Sequence, residues 1–339
     1  MIMSPFKSTL FFLFSLTATQ AFCQYTDVIN SNRPGVSRSA FSVGTNVAQL
    51  EIGPYSIKEK RTPAAAYEVS GFGIDFAARY GLLLEELELN IEGTYQNDTT
   101  FASNFSSEDN RANFKFLAIG AKYLVFDPYK NAEEDKPNLY SWKANRQFKW
   151  KSLIPAVSVY LGANYDTKPN PYTFSGIEGF SPKVMIATQN NFSGGWVFVM
   201  NLIKDRIGTD QSDFQYILTL THSFNPKWVI FGETQGIKSD FYADNLFRFG
   251  GAYLMGKDLQ LDTAVTFNTK DTPSVFSLNF GASYRLDFHR DKESDNGTSA
   301  ENEGKRRANR KGKNKKRSNK EDSGEKISKQ KKKDIDFDE

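Results

Sequence analysis

Apolar and polar residues alternate along most of this chain, most clearly in the stretch VFSLNFGASYRLDF, Val275 to Phe288. Phe276, Leu278, Phe280, Ala282, Tyr284, Leu286 and Phe288 fall on one face. Ser277, Asn279, Gly281, Ser283, Arg285 and Asp287 fall on the other. Side chains alternate across a strand with period two. A strand this long, apolar on one side and polar or small on the other, suits a wall between lipid and a wet lumen. The competing reading is an edge strand of a large soluble sandwich; repetition of the pattern along the chain favours the barrel.

About twelve such strands are expected, an even number as single-chain bacterial barrels require. The first four run near Asn46–Lys58, Val69–Tyr80, Glu86–Tyr95 and Asn113–Phe126. The next four run near Ser152–Ala163, Pro182–Gln189, Gly195–Ile203 and Phe214–Phe224. The last four run near Trp228–Gln235, Leu246–Met255, Leu259–Asn268 and Val275–Phe288. The fold class is therefore all-β: an antiparallel transmembrane barrel of the outer membrane over 45–288, with a disordered C-terminal tail. Parity puts both barrel ends in the periplasm. Long polar outer loops are expected at Gln96–Arg111 and Asn164–Phe180, and short periplasmic turns at Asn225 and Gly256. Asp127–Lys151 is the exception, a long charged periplasmic turn. Asn97-Asp98-Thr99-Thr100 is a weak glycan motif on an outer loop. The aromatic end of the last strand, Phe288, resembles the C-terminal sorting signal of outer-membrane barrels.

The two ends of the chain differ from the middle. Lys7 followed by Leu10, Phe11, Phe12, Leu13, Phe14 and Leu16 reads as a secretory signal, residues 1–23, too short to span a membrane. Cleavage is expected after Cys23, the sole cysteine. Phe22 before it is too bulky for a lipoprotein signal. The mature chain then offers no disulfide, thiol nucleophile or cysteine metal cage. Residues 24–44 form an N-terminal periplasmic or mouth segment; Asn32–Val43 either constricts the mouth or is a plain linker. From His289 to Glu339 the apolar pattern stops. Lys305 to Arg317 reads KRRANRKGKNKKR, without an acidic residue; the tail holds the chain's net charge of +3 and cannot bury enough surface to fold alone.

Candidate chemistry follows from the inward faces. Glu51, Asp75, Arg79, Glu88, Glu92, Glu233, Arg248, Asp262, Arg285 and Asp287 are the lumen candidates. Such charges must be paired or wet. They either line a water-filled path or form a closed ionic network. Trp142, Trp150, Trp196, Trp228, Tyr253 and Tyr284 are expected at the membrane interfaces. An enzyme is not expected: His222 and Ser223 are adjacent, so they point to opposite faces and cannot form a dyad. Glu88 and Glu92 fit a polar lumen as well as a carboxylate pair. With two histidines and no mature cysteine, neither a metal nor a cofactor is expected.

The segment Ile29-Asn30-Ser31-Asn32-Arg33-Pro34-Gly35-Val36-Ser37, then Phe41-Ser42-Val43-Gly44 and Gln49-Leu50-Glu51-Ile52-Gly53, carries a resemblance. It is similar to the barrel family named for a MetA pathway of phenol degradation or for transport, common in Bacteroidota. The family pattern is Thr-Asp-Arg-Pro, then Val-x-x-Gly, then Gln-x-Glu-x-Gly. Arg79-Tyr80-Gly81 with Glu88-Leu89, Asn201, and Glu233 before Gly236 extend the likeness, which covers Gln24 to Phe288. Asn32 and Ser31 replace the family's Asp and Thr, so no salt bridge to a neighbouring Asp is expected at Arg33. The resemblance implies a non-enzymatic barrel passing small, including apolar, molecules. The alternative is a structural or accessory subunit of a larger outer-membrane machine for protein insertion or secretion. That subunit would dock through Lys305, Arg306, Arg307, Lys315, Lys316, Arg317 and Phe337. Expected partners are outer-membrane lipid and lipopolysaccharide, the barrel-assembly machinery during insertion, and an envelope complex at the tail; nucleic acid is not expected.

Overall fold

The computed structural model describes residues 28–61, 66–102, 107–128 and 150–288. The expected signal with Cys23, the tail with its docking candidates Lys305, Arg306, Arg307, Lys315, Lys316, Arg317 and Phe337, and Trp142 lie outside the described residues, as does most of Asp127–Lys151.

Alternation becomes twelve antiparallel strands. They are β1 (Val47–Arg61), β2 (Tyr67–Gly81), β3 (Leu87–Ala102), β4 (Ser107–Phe126), β5 (Ala156–Asp166) and β6 (Gly179–Phe192). Then come β7 (Trp196–Asp205), β8 (Asp213–Ser223), β9 (Trp228–Ser239), β10 (Ala243–Met255), β11 (Leu259–Asn268) and β12 (Ser274–Asp287). Each pairs with its sequence neighbour, and β12 returns to β1, from Val47↔Asp287 to Lys60↔Ser274. Closure leaves no unpaired edge, the condition for backbone to cross lipid without water. Among the described residues no helix is long and apolar enough to cross a membrane.

The outer face carries the apolar half of each alternation: Leu50, Ile52, Phe72, Ile91, Leu161 and Phe280 are all exposed. Near the strand ends on the side of the two termini, Trp196 stacks on His222 at 4.2 Å and Trp228 packs on Tyr253 at 4.8 Å. Amphipathic rings at that height form an interfacial belt. This barrel, apolar outside and polar inside, is of the outer-membrane type.

Three expectations need correction. The expected loop Gln96–Arg111 is mostly strand, and β3 and β4 pair out to Ala102↔Ser107. Its residues are mostly polar on both faces, so the apolar rhythm that marks a membrane strand is missing. Asn97-Asp98-Thr99-Thr100 therefore sits in β3, not in a loop, with Asp98 buried on the lumen side. β5 starts at Ala156 rather than Ser152: Trp150–Leu153 makes a 3-10 turn, and Pro155 has no N–H to give a ladder. The loop before β6 is shorter than expected, since β6 starts at Gly179.

Phe280 lies near the middle of β12 on the outer face. Phe280→Arg should destabilise the barrel by about 2–4 kcal/mol, whereas Asn279→Ala, on the lumen face, should change stability little. Urea unfolding in lipid vesicles measures both; equal effects would contradict the assigned faces.

Candidate functional site

The lumen is occupied by the chain's own N-terminal segment. It enters beside the β10–β11 turn, where the Ile29 amide donates to the Lys257 carbonyl at 2.8 Å. It climbs into the barrel, turns around Arg33–Arg38, and comes back down to start β1. The expected mouth segment or linker is thus an inserted plug; a segment without periodicity shows no face to predict, so its position could not be read from spacing.

Four strands, β1 to β4, grip its lower legs. Arg79 on β2 makes a bidentate pair with Glu88 on β3, Nε–Oε1 at 3.0 Å and Nη2–Oε2 at 2.9 Å, and its Nη1 lies 3.5 Å from Glu51 on β1. The same guanidinium donates to the Asn30 carbonyl at 2.7 Å. Lys122 on β4 pairs with Glu88 at 3.3 Å and donates to the Ser39 and Phe41 carbonyls, both at 2.9 Å. Glu88 in turn accepts the Val43 amide at 3.0 Å. The Arg79 side chain is 0% exposed and those of Glu88 and Lys122 1%, so each charge depends on this set for its compensation.

The tip is held from the opposite walls. Arg33 pairs with Asp262 on β11 at 3.2 Å and donates to the Phe280 carbonyl. The substitution at Asn32 therefore leaves Arg33 with a carboxylate partner, but one supplied from far along the chain. Gly53 and Gly281 flank this guanidinium, and a Cβ at either would overlap it. Glu233 on β9 accepts the Val36 and Ser37 amides at 3.1 Å, the Thr219 hydroxyl at 2.8 Å and Arg248 at 3.1 Å. Asn201 on β7 brackets Arg38, accepting its amide at 2.6 Å and donating to its carbonyl at 2.9 Å. The Arg38 side chain pairs with Glu92.

Of the expected lumen residues, Glu51, Arg79, Glu88, Glu92, Glu233, Arg248 and Asp262 are buried within this assembly. Asp75 stands higher on β2, accepting the Thr94 hydroxyl at 2.6 Å. Arg285 is buried near the terminal end and lies 3.3 Å from Asp287, which is at the rim rather than in the lumen. Phe288 bonds back to Asn46 through its amide at 3.0 Å. Sequence reasoning did not place Arg33, Arg38, Lys122 and Asp98 in the lumen, nor Lys183 on β6, which lies 3.6 Å from Glu92. Lys122 lies in β4, whose register shifts opposite Thr94/Tyr95 and at Leu124/Phe126 break the rhythm. It also missed an apolar strip on the lumen wall, in which Tyr160, Met185, Ile203 and Ile217 from β5–β8 pack together. Four single inward apolar residues on four strands leave no local signal.

The plug divides the lumen. A chamber of about 550 Å³ lies on the side away from the termini and one of about 260 Å³ on the terminal side. Asn32, Arg33 and Gly35 line both. Among the described residues no cluster of His, Cys, Asp or Glu side chains is arranged to hold a metal ion.

This is a closed transmembrane barrel whose lumen is filled in part by its own chain. The family described as Putative MetA-pathway of phenol degradation matches residues 31–286, and the chain belongs to it. No curated protein matches the sequence. Among solved structures it is similar to an outer membrane channel from Pseudomonas putida F1, at 10% identity and a TM-score of 0.48, covering 76% of this chain and 100% of that one. The translocator domain of the autotransporter NalP from Neisseria meningitidis matches at 10% identity and a TM-score of 0.42, covering 72% and 89%. The Pseudomonas putida toluene transporter TodX matches at 8% identity and a TM-score of 0.40, covering 73% and 91%. The residues that carried the family resemblance, Arg33, Gln49, Glu51, Gly53, Arg79, Glu88, Asn201 and Glu233, all converge on the plug.

Removing one member of a buried ionic set strands the others. Arg79→Ala should cost about 3–5 kcal/mol, and a double-mutant cycle with Glu88→Ala should show a coupling of about 0.5–3 kcal/mol. Urea titration of each variant in vesicles measures both; additive losses would show that the two residues do not act together.

Proposed function

We propose that this protein is a passive, non-enzymatic channel of the outer membrane whose N-terminal segment is the gate. The plug held across the lumen by Arg33, Glu233 and Asn201 is the observation that supports this reading. With the plug in place the narrow partition at Asn32–Gly35 separates the two chambers. With its tip displaced they join. The solutes are small molecules with an apolar part: the larger chamber is the size of a small-ligand pocket, and its wall includes Ile203, Ile217, Ile237 and Leu246. The family's link to phenol degradation agrees with compact aromatic solutes. The termini, and with them the plug entrance, face the periplasm.

Conductance in planar bilayers tests the gate. The native barrel should conduct weakly. Arg33→Ala and Glu233→Ala should each raise conductance several-fold and speed uptake of a monoaromatic into liposomes. Unchanged conductance in both variants would sink the gate.

The basic tail extends the proposal: the run Lys305–Arg317 has the composition of a docking segment for an acidic envelope partner. A mild-detergent pull-down of the full chain beside a version ending at Arg290 should lose any stoichiometric envelope partner on truncation. Identical partners in both would remove the docking role.

A further inference from the structure

The loop 167–178 between β5 and β6 does not stand clear of the barrel. On one side it folds onto β3 and β4. The Tyr172 hydroxyl reaches Asp98 at 3.0 Å, while Arg111, paired with Asp98 at 2.7 Å, lies 5.2 Å over the Tyr172 ring. Burial and the Asp98 carboxylate both push the Tyr172 phenol up, so it keeps the proton it donates. Asn170 donates to the Phe114 carbonyl at 2.8 Å, covering a part of β4 that β5 does not pair.

On the other side the same loop reaches round to β8 and β9. The Phe174 amide donates to Gln211 in the β7–β8 loop at 3.3 Å. The Phe174 ring meets Phe241 of the β9–β10 loop edge-on, with centroids 5.2 Å apart. Next to Phe241, Tyr242 lines the larger chamber, as does Gln211. A single loop is therefore tied to the wall from β3 round to β9 at the mouth away from the termini.

We propose that this loop is a lid over the mouth of the larger chamber, held at Gln211 and beside Tyr242 of its rim, and the Phe174–Phe241 pair its clasp, so that the loop and the plug bound the chamber from two ends. The two attachments differ in kind. The Tyr172 side is a half-buried, charge-assisted set around the buried Asp98 and acts as the fixed end. The clasp is one exposed ring pair and one exposed hydrogen bond from the Phe174 amide to the Gln211 side chain. Gly176, between the clasp and β6, and Gly179, the first residue of β6, have left-handed φ of +91° and +83° and permit the arm to swing where a side chain would resist. Opening the clasp uncovers the chamber without touching the plug. A solute then enters the chamber past the lid and leaves it past the plug. The lid rests on the channel reading only in this last step.

The test reads the lid alone. Asn279 lines the larger chamber just above the residues that touch Arg33. In a Cys23→Ser background, which removes the sole native thiol, Asn279→Cys is placed in nanodiscs and labelled with a membrane-impermeant maleimide. Adding Phe174→Ala and Phe241→Ala should accelerate labelling by roughly three- to tenfold, the range an aromatic pair controls. Phe241→Ala alone should give part of that gain. Labelling at the same rate in all three would overturn the lid. Because no transport is measured, a failed gate would show in the conductance of Arg33→Ala while the maleimide result stood, and the reverse.

Discussion

Charge inside a closed wall is the constraint on which the rest of this structure depends. Closing twelve strands removes every edge but encloses a lumen that wall side chains alone do not fill. The strands carry ionic residues into that lumen, and each must find compensation there. Arg79 finds Glu88 and Glu51, and Glu88 also finds Lys122. These groups still have unused hydrogen-bonding capacity. The N-terminal backbone uses it, through the Asn30, Ser39 and Phe41 carbonyls and the Val43 amide. The plug is thus part of what makes the wall's charges tolerable.

The lumen wall is made of two materials. From β9 round through β12 to β4 it presents Glu233, Arg248, Asp262, Glu51, Arg79 and Glu88. Across β5–β8 it presents Tyr160, Met185, Ile203 and Ile217 packed together. The plug tip lies between them and bonds to both, through Arg33 and the Val36 and Ser37 amides on the polar side and through Asn201 on β7, while Arg38 lies 6.0 Å over the Tyr160 ring. On the proposed channel reading, a molecule passing beside the tip would meet the apolar strip as well as fixed charges, which suits a solute with an apolar body better than a strongly hydrated ion.

The barrel was legible because its signal is local. β11 reads directly from LQLDTAVTFN: Leu259 and Leu261 face out, Gln260 and Asp262 face in, and each strand repeats the lesson. Legibility stopped where two residues matter to each other only across the lumen. Arg33 and Asp262 are separated by most of the chain, and no periodicity links them. The charges could be placed inward from their strands, yet whether they formed a network or a water path depended on a third element, the plug, which has no period at all. At the hairpin tip of β3 and β4 the signal failed for the opposite reason. Here the outer face carries Asn97 and Thr99 and the inner face the buried Asp98, so no apolar alternation remains and Asn97 to Thr100 resembles a loop.

The grip on the plug is uneven along its length, and this orders its possible motions. The lower legs are bonded to ionic side chains that are almost wholly buried and bonded to one another, so freeing them would strand Arg79, Glu88 and Lys122 together. The tip depends on partners that keep compensation without it. Glu233 retains Arg248 and Thr219 when the Val36 and Ser37 amides leave, and Asn201 is neutral. Only Asp262 among the tip's carboxylate partners loses its sole ion pair when Arg33 withdraws. The cheaper motion is therefore a movement of Arg33–Arg38 on fixed legs, not ejection of the whole segment. In the proposed gate such a movement would join the two chambers where Asn32, Arg33 and Gly35 line both.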